Sequence, residues 1–182
     1  GNFAFASGMS AKLYDMANKW IGRLPGGLAC ATVAACACFG AICGSTNATT
    51  ATMAVVSIPE MRKYGYADSL ATGSVAVGGG LGIMIPPSSC FIVYGIMAEQ
   101  SIGQLFAAGI LPGIILAILI IIMIVCQVKM KPSLAPKGEK FSWKERWLSL
   151  ANCWDVLILF VGVFAAMFSG FFTINEAAPA GA

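Results

Sequence analysis

The chain has 182 residues, of which 58% are hydrophobic and only 10% are charged, and its mean hydropathy is +0.83. This composition is typical of an integral membrane protein and excludes a soluble domain built around a single buried core. The net charge is +3, and the chain contains no histidine. The chain begins in an apolar run without an initiator Met, and no signal peptide is recognisable, so we expect one partial domain, residues 1–182, of a longer protein.

The first uncharged run, residues 24–59, is 36 residues long and is interrupted by the polar sequence GSTNATT at residues 44–50. A single helix of that length would measure about 54 Å, whereas the hydrocarbon core of a bilayer is about 30 Å thick. The arm after the polar sequence, residues 48–59, is too short to span alone. Residues 24–63 are therefore predicted to form a re-entrant hairpin, although two ordinary crossings would satisfy the same charge pattern. Residues 1–23, which contain three basic side chains, are predicted to be the end of a span and a cytoplasmic linker.

The second uncharged run, residues 69–98, is predicted to be a broken transmembrane helix because GIMIPPSS occupies residues 82–89. Pro86 and Pro87 lack backbone donors, so the carbonyls of about Gly82 to Met84 lose their helical partners. Lipid offers no hydrogen bonds to a broken helix, so such a break persists where it lines a cavity or a site. Paired breaks in apolar segments are the best sequence indication of the ion and substrate site of a transporter.

The remaining segments are predicted from length and charge. Residues 102–128 and residues 151–175 are each long enough to be a transmembrane helix. Between them, residues 129–150 form a basic loop, with six basic residues against two acidic ones among residues 129–146. The positive-inside rule places this loop in the cytoplasm, and its end from Trp143 to Leu150 is predicted to be amphipathic and to lie at the membrane surface. Membrane anchoring explains this charge, so no nucleic-acid partner is expected.

The chemistry available at the two breaks is that of oxygen ligands. Hydroxyl, amide and freed carbonyl oxygens are the ligands that hard cations such as Na⁺ prefer. Half-helices that start near Ala48 and Ser88 would direct their positive ends inward, which suits an anionic substrate. Simple helix packing is the alternative explanation of both breaks.

Other kinds of site are not expected. The uncharged spans contain no carboxylate and the chain has no histidine, which removes the usual acid–base groups of an enzyme. The seven cysteines include no C-x-x-C pair, so we expect them to pack as small apolar residues, without a transition metal. No cofactor is expected apart from a coupling ion.

Several segments, in order, resemble the large membrane subunit of tripartite ATP-independent periplasmic (TRAP) transporters: GNFAFASG, LPGGLA, GSTNAT, IPEMRKYGYADSLATG, LGIMIPPSSCFIVYG, SIGQLFAAGILPG and GFFTINEAA. The resemblance implies an all-α integral membrane fold of the elevator type, with a re-entrant hairpin and both discontinuous and continuous transmembrane helices. It also implies sodium-coupled import of organic acids, such as C4-dicarboxylates or sialic-acid-like carboxylates, across the bacterial inner membrane. A periplasmic binding protein and a small membrane subunit would be the partners.

The resemblance also implies site residues, because in the family the first hairpin tip and the following unwound helix build a sodium site. The sodium ligands carried over in this way are Ser45, Thr46, Asn47, Gly82, Pro86, Pro87 and Ser88. The substrate contacts expected from the same segments are Asn47, Thr49, Ser88 and Ser89. The family commonly has a second serine where this chain has Thr46, which keeps the hydroxyl, and its usual FTPTEAA sequence is FTINEAA here, at residues 172–178. The alternatives are a sodium/carboxylate symporter without a binding protein and a non-transporting membrane scaffold.

Overall fold

The computed structural model describes residues 9–136 and 142–152, together with residues 154 and 158, and all regular structure in these residues is helical. The prediction of an all-α chain is therefore confirmed for the described residues. The predicted span over residues 151–175 and the FTINEAA sequence lie almost entirely outside them. The helices are α1 (Met9–Ile21), α2 (Gly27–Cys43), α3 (Thr46–Lys63), α4 (Asp68–Gly79), α5 (Leu81–Met84), α6 (Ser89–Met97), α7 (Ile102–Met130), a 3₁₀ turn (Pro132–Leu134) and α8 (Trp143–Asn152).

Helices α2 and α3 form an antiparallel hairpin. They are joined at Gly44, whose φ of 61° lies in the left-handed region that glycine adopts without strain. At the other end of the hairpin, the backbone N–H of Leu28 donates to the Tyr66 hydroxyl at 3.1 Å. The first N–H groups of a helix have no partner within it, so Tyr66 caps α2 from the far end of α3.

Helices α4, α5 and α6 follow one another as an interrupted helix. Helix α5 ends at Met84, the next residue Ile85 is extended, and the Pro86–Pro87 peptide bond is cis. Helix α6 then starts after Ser88, its N-cap residue. The segment Asp68–Met97 and helix α7 are, by length and composition, the two helices in the described part of the chain that could cross a membrane.

Helix α7 runs along the whole of this assembly, because its 29 residues correspond to about 44 Å. Its start lies beside the end of α6, where a Cβ on Gly95 would be 2.6 Å from the Ile102 side chain. Beyond its end, the carbonyl of Leu134 accepts a hydrogen bond of 2.9 Å from the N–H of Ala67. The hairpin base and the start of the basic loop are therefore at the same end of the molecule, as the charge pattern requires.

The core of the described residues lies among α1 to α5 and one face of α7. The side chains of Phe39, Met53 and Leu81 are fully buried there. Small residues dominate α2, which is why α3 and α4 can both pack closely against it. Helix α7, by contrast, leaves a row of large aliphatic side chains exposed.

Candidate cation and substrate site

The tip of the hairpin lies directly against the interrupted helix. A Cβ built on Gly40 of α2 would be 2.7 Å from the Cα of Gly82 in α5. A Cβ built on Gly82 would in turn be 3.0 Å from Oγ1 of Thr49 and 3.1 Å from the carbonyl oxygen of Ser45. The two breaks that the sequence predicts to share one site are therefore in contact, and glycines make that contact possible.

A second set of contacts joins the hairpin tip to the start of α6. Both the backbone N–H and the hydroxyl of Ser89 donate to the carbonyl of Gly44, at 3.4 and 3.1 Å. The carbonyl oxygen of Pro87 also lies against Gly44, in the space that a side chain there would occupy. The turn of the hairpin is thus held by one residue of the second break and by the first residue of α6.

Three hydroxyl oxygens at this contact are buried without a hydrogen-bond partner among the described residues: Oγ1 of Thr46, Oγ1 of Thr49 and Oγ of Ser88. The side chains of Thr49 and Ser88 are 0% exposed. A buried polar group left without a partner costs about 1–3 kcal/mol, so such groups are rare unless an ion or a water molecule binds them. Their concentration where the two helix breaks meet indicates a site for a cation or a water molecule that binds hydroxyl oxygens.

Backbone carbonyls add to this set of oxygens. Pro86 and Pro87 have no N–H, so the carbonyls of Gly82 and Ile83 lack the donor that a continuous helix would supply four residues on. The carbonyl of Met84 is turned toward α7, 3.1 Å from the position of a Cβ on Gly109. The freed carbonyls and the buried hydroxyls are all neutral hard oxygen ligands, as Na⁺ prefers.

Four helix ends also meet at the site, and their dipoles oppose one another. Helices α2 and α5 end there and present carbonyls, whereas α3 and α6 begin there and present N–H groups. Ser45 caps α3, since its hydroxyl accepts from the N–H of Ala48 at 3.5 Å. Helix ends that present carbonyls favour a cation, and those that present N–H groups favour an anion.

The structure divides the predicted substrate contacts into two pairs. Asn47 and Ser89 are exposed, whereas Thr49 and Ser88 are buried in the contact between hairpin and helix. Among the predicted sodium residues, Gly82 and Pro86 are buried and take part through the backbone, because they have no polar side chain. In this conformation, solvent reaches Asn47 and Ser89 but not Thr49 and Ser88.

Sequence reasoning did not identify three residues that shape the site. Gly40 carries the closest approach to Gly82, Thr50 packs against Gly79 of α4, and Gly109 faces Met84. A signal for Thr50 was available, because Thr46, Thr49 and Thr50 have the i, i+3, i+4 spacing that places residues on one helix face. No comparable signal exists for Gly109, since small residues are frequent throughout membrane helices.

Charged and thiol ligands do not form a cluster in the described residues. Groups of three or more His, Cys, Asp or Glu side chains that could hold a metal ion are absent from this part of the chain. The six cysteines described there are free, and Cys30 and Cys36 are buried in the packing of α2.

The whole chain, residues 1–182, matches the family described as "Tripartite ATP-independent periplasmic transporter, DctM component". It is 38% identical to the C4-dicarboxylate TRAP transporter large permease protein DctM of Pseudomonas aeruginosa, over 100% of this chain and 42% of that protein. It is 37% identical to the ectoine TRAP transporter large permease protein TeaC of Halomonas elongata, over 95% of this chain and 40% of that protein.

A third relative is the isethionate TRAP transporter permease protein DctMQ of Oleidesulfovibrio alaskensis, which is 45% identical over 63% of this chain and 18% of that protein. All three names describe permeases and not enzymes. The chain spans about two fifths of the length of the first and second of these relatives. The match over the full chain shows that this protein belongs to the DctM family, the large membrane component of TRAP transporters.

Proposed function

We propose that this chain forms the part of a TRAP large permease that binds Na⁺ and couples it to the import of an organic acid. The observation that carries the proposal is the set of three unpartnered buried hydroxyls where the hairpin tip meets the interrupted helix. A packing contact alone would favour apolar or hydrogen-bonded side chains at these positions. A desolvated cation gives the hydroxyls a partner.

In the proposed site, the hydroxyls of Thr46, Thr49 and Ser88 bind Na⁺ together with carbonyl oxygens of Ser45 and Gly82. Hard oxygen ligands without a carboxylate select a monovalent cation, because a divalent ion would need negative charge nearby to offset its desolvation. The ion would fasten the hairpin tip to the interrupted helix, since its ligands come from both. Sodium binding would thereby complete the surface that the substrate contacts.

The substrate would bind beside the ion, at the exposed residues Asn47 and Ser89. Helices α3 and α6 both start here, and their N–H groups can stabilise a carboxylate without a basic side chain. The relatives are named for C4-dicarboxylate, ectoine and isethionate transport, and each of these compounds carries an acidic group. We therefore assign a small organic acid, bound through its acidic group, as the substrate class.

The proposed setting is the bacterial inner membrane, where this multi-pass subunit would act with a small membrane subunit and a periplasmic binding protein. Membership of the DctM family and the two apolar helices support this setting. In an elevator-type cycle, the hairpin and the interrupted helix would carry the ion and the substrate together past a fixed scaffold.

The test is uptake of labelled organic acids into proteoliposomes that contain the complete permease and its small subunit. Each acid is supplied with and without an inward sodium gradient and the cognate binding protein. Uptake that needs both is the expected result. Uptake with sodium alone would instead favour a symporter that needs no binding protein, and no flux through a folded complex would favour a scaffold.

The ion site is tested by Thr49→Val and Ser88→Ala in the same assay. Loss of one charge-assisted contact should raise the half-saturating sodium concentration about tenfold. Thr72→Val is the matched control, because Thr72 is exposed on α4 and its hydroxyl donates to the carbonyl of Asp68 in the same helix. If Thr49→Val and Ser88→Ala have the same half-saturating sodium concentration as Thr72→Val and the wild type, the proposed site is wrong.

A further inference from the structure

Helix α8 packs on α1 through aromatic side chains. The rings of Trp20 and Trp147 meet edge to face, with centroids 6.2 Å apart and planes at 74°. The start of α8 is fixed by a capping interaction, in which the N–H of Ser142 donates to the Glu145 carboxylate at 2.7 Å. The helix is thus held against α1 in one orientation, with its first turn defined.

Arg146 is the unusual residue of this helix. It is only 8% exposed, and its Nε atom is buried without a hydrogen-bond partner among the described residues. Its guanidinium lies over the ring of Trp143, with Cζ 5.3 Å from the ring centroid. Glu145, the one acidic residue in the range 142–152, is engaged at Ser142. A largely buried cation needs an anionic partner, because desolvation without one is costly.

The surroundings of Arg146 are those of a membrane surface. Trp143 and Trp147 are 63% and 61% exposed, and Leu148 is 63% exposed. Amphipathic tryptophan rings sit at the headgroup level of a bilayer, and basic side chains beside them attract anionic lipid. Within residues 9–23 and 142–152, basic side chains outnumber acidic ones: Lys12, Lys19, Arg23, Lys144 and Arg146 against Asp15 and Glu145.

We propose that α1 and α8 together bind an anionic phospholipid of the cytoplasmic leaflet, with its phosphate on Arg146 and its glycerol region against Trp143 and Trp147. A guanidinium binds phosphate through paired N–H donors, and a phosphate on the terminal nitrogens of Arg146 would offset its buried charge. The site depends on the placement of the basic end of the molecule at the cytoplasmic surface. It does not depend on the sodium site, so either proposal can be wrong while the other is right.

The first test is thermal unfolding of the purified complete permease in detergent, with added phosphatidylglycerol or phosphatidylcholine of the same acyl chains. Phosphatidylglycerol should raise the melting temperature more than phosphatidylcholine does. Arg146→Gln should require about fivefold more phosphatidylglycerol for the same shift, since one basic residue contributes about that factor at a membrane surface. Lys63→Gln is the matched control, because it removes one positive charge at the same end of the molecule. The Lys63 ammonium is paired with Glu60 at 3.7 Å, so its loss should change the response less than the loss of Arg146 does.

Three outcomes would overturn the proposal: equal stabilisation by both lipids, an unchanged response in Arg146→Gln, or the same shift with inorganic phosphate alone. A melting temperature that Arg146→Gln lowers equally in both lipids belongs to the second of these outcomes, because Arg146 would then stabilise the protein without binding lipid.

A second measurement does not need Arg146→Gln to fold. Brominated phosphatidylglycerol should quench tryptophan fluorescence of the wild-type permease more than brominated phosphatidylcholine does. The excess should disappear when Trp143 and Trp147 are both replaced by Phe. An excess that persists in this double variant would place the anionic lipid elsewhere and overturn the site.

Discussion

At the residue scale, the candidate site depends on the lack of a side chain at Gly40. A Cβ there would lie 2.7 Å from the Cα of Gly82, and two backbones cannot yield as a flexible side chain can. Gly40→Ala should therefore push the hairpin away from α5 and lower the free energy of unfolding by about 1–3 kcal/mol, the usual cost of overpacking. Thermal or denaturant unfolding of the purified permease measures this loss.

Gly73→Ala is the matched control for that substitution. Gly73 is also in a helix, but a Cβ there would have no other atom within 4 Å. Its replacement should leave the free energy of unfolding unchanged or raise it by up to about 1 kcal/mol, because alanine is the better helix former. Similar losses in both variants would show that the approach of Gly40 to Gly82 is not what limits the packing.

The sequence predicted where the site residues lie along the chain but not which way they turn. GSTNATT and GIMIPPSS stand out because polar and helix-breaking residues are costly in lipid. The burial of Thr49 and the exposure of Asn47 could not be predicted, since the arm is neither clearly apolar nor clearly polar on any face. Without a hydrophobic periodicity, the rotation of α3 is set by tertiary contacts such as those with Gly79 and Gly82.

At the scale of the helices, the start of α2 depends on Tyr66. Its hydroxyl accepts from the buried N–H of Leu28, one of the N–H groups that α2 itself leaves unpaired. Tyr66→Phe removes the acceptor and should lower the free energy of unfolding by about 1–3 kcal/mol. Hydrogen exchange at the Leu28 amide should also become faster.

Tyr64→Phe makes the same chemical change two residues away, on a side chain that is 40% exposed. It should change neither the free energy of unfolding nor the exchange at Leu28. Equal exchange rates at Leu28 in the wild type and in Tyr66→Phe would mean that the cap does not protect the helix start.

Element boundaries were only partly predictable. Helix α3 starts at Thr46, two residues before the expected half-helix start near Ala48, because Ser45 caps it. It also continues through Pro59 to Lys63, even though proline removes a helical donor. The break expected over residues 82–89 is confined to residues 85–88, and a second irregularity occurs at Gly80, between α4 and α5. Side-chain caps and packing shift helix ends by a turn or less, which sequence patterns do not resolve.

At the scale of the whole molecule, an elevator-type cycle requires the hairpin and the interrupted helix to move together. This can be tested with the native Cys36 of α2, since a Cβ on Gly78 of α4 would lie 3.2 Å from its Cβ. After a small shift, Gly78→Cys brings the two sulfurs within reach of a disulfide. In the proposed cycle both helices belong to the same moving unit, so uptake in proteoliposomes should be the same before and after oxidation.

Gly78→Ser is the control, because it introduces a side chain of similar size that cannot form the bond. Formation of the disulfide is checked by the loss of labelling with a thiol reagent in the unfolded protein. Uptake that stops on oxidation and returns on reduction would show that α2 and α4 must separate, which contradicts movement as one unit.

The charge pattern predicts that the hairpin base and the end of α7 lie at the same end of the molecule. The sequence does not predict which residues of α7 face the core. Basic residues flank the hairpin base and the end of α7, and the hydrogen bond from Ala67 to Leu134 joins these two regions. The sequence of α7 is apolar on every side, so it does not indicate that Gly109 and Ile124 face inward while Leu119 and Ile122 are exposed. In membranes, packing of small residues sets such faces, and hydrophobic contrast does not.

The lack of charge in residues 24–59 and 69–98 has an electrical consequence for the proposed cycle. The proposed ion site is built of neutral oxygens, so these two segments would move no compensating charge when the loaded unit crosses the field. Each charge carried through the full field is worth about 2.3 kcal/mol per 100 mV. Two sodium ions with a divalent anion would produce no current, whereas every further sodium ion would let the membrane voltage drive accumulation. The stoichiometry would therefore be readable directly as the reversal potential of transport.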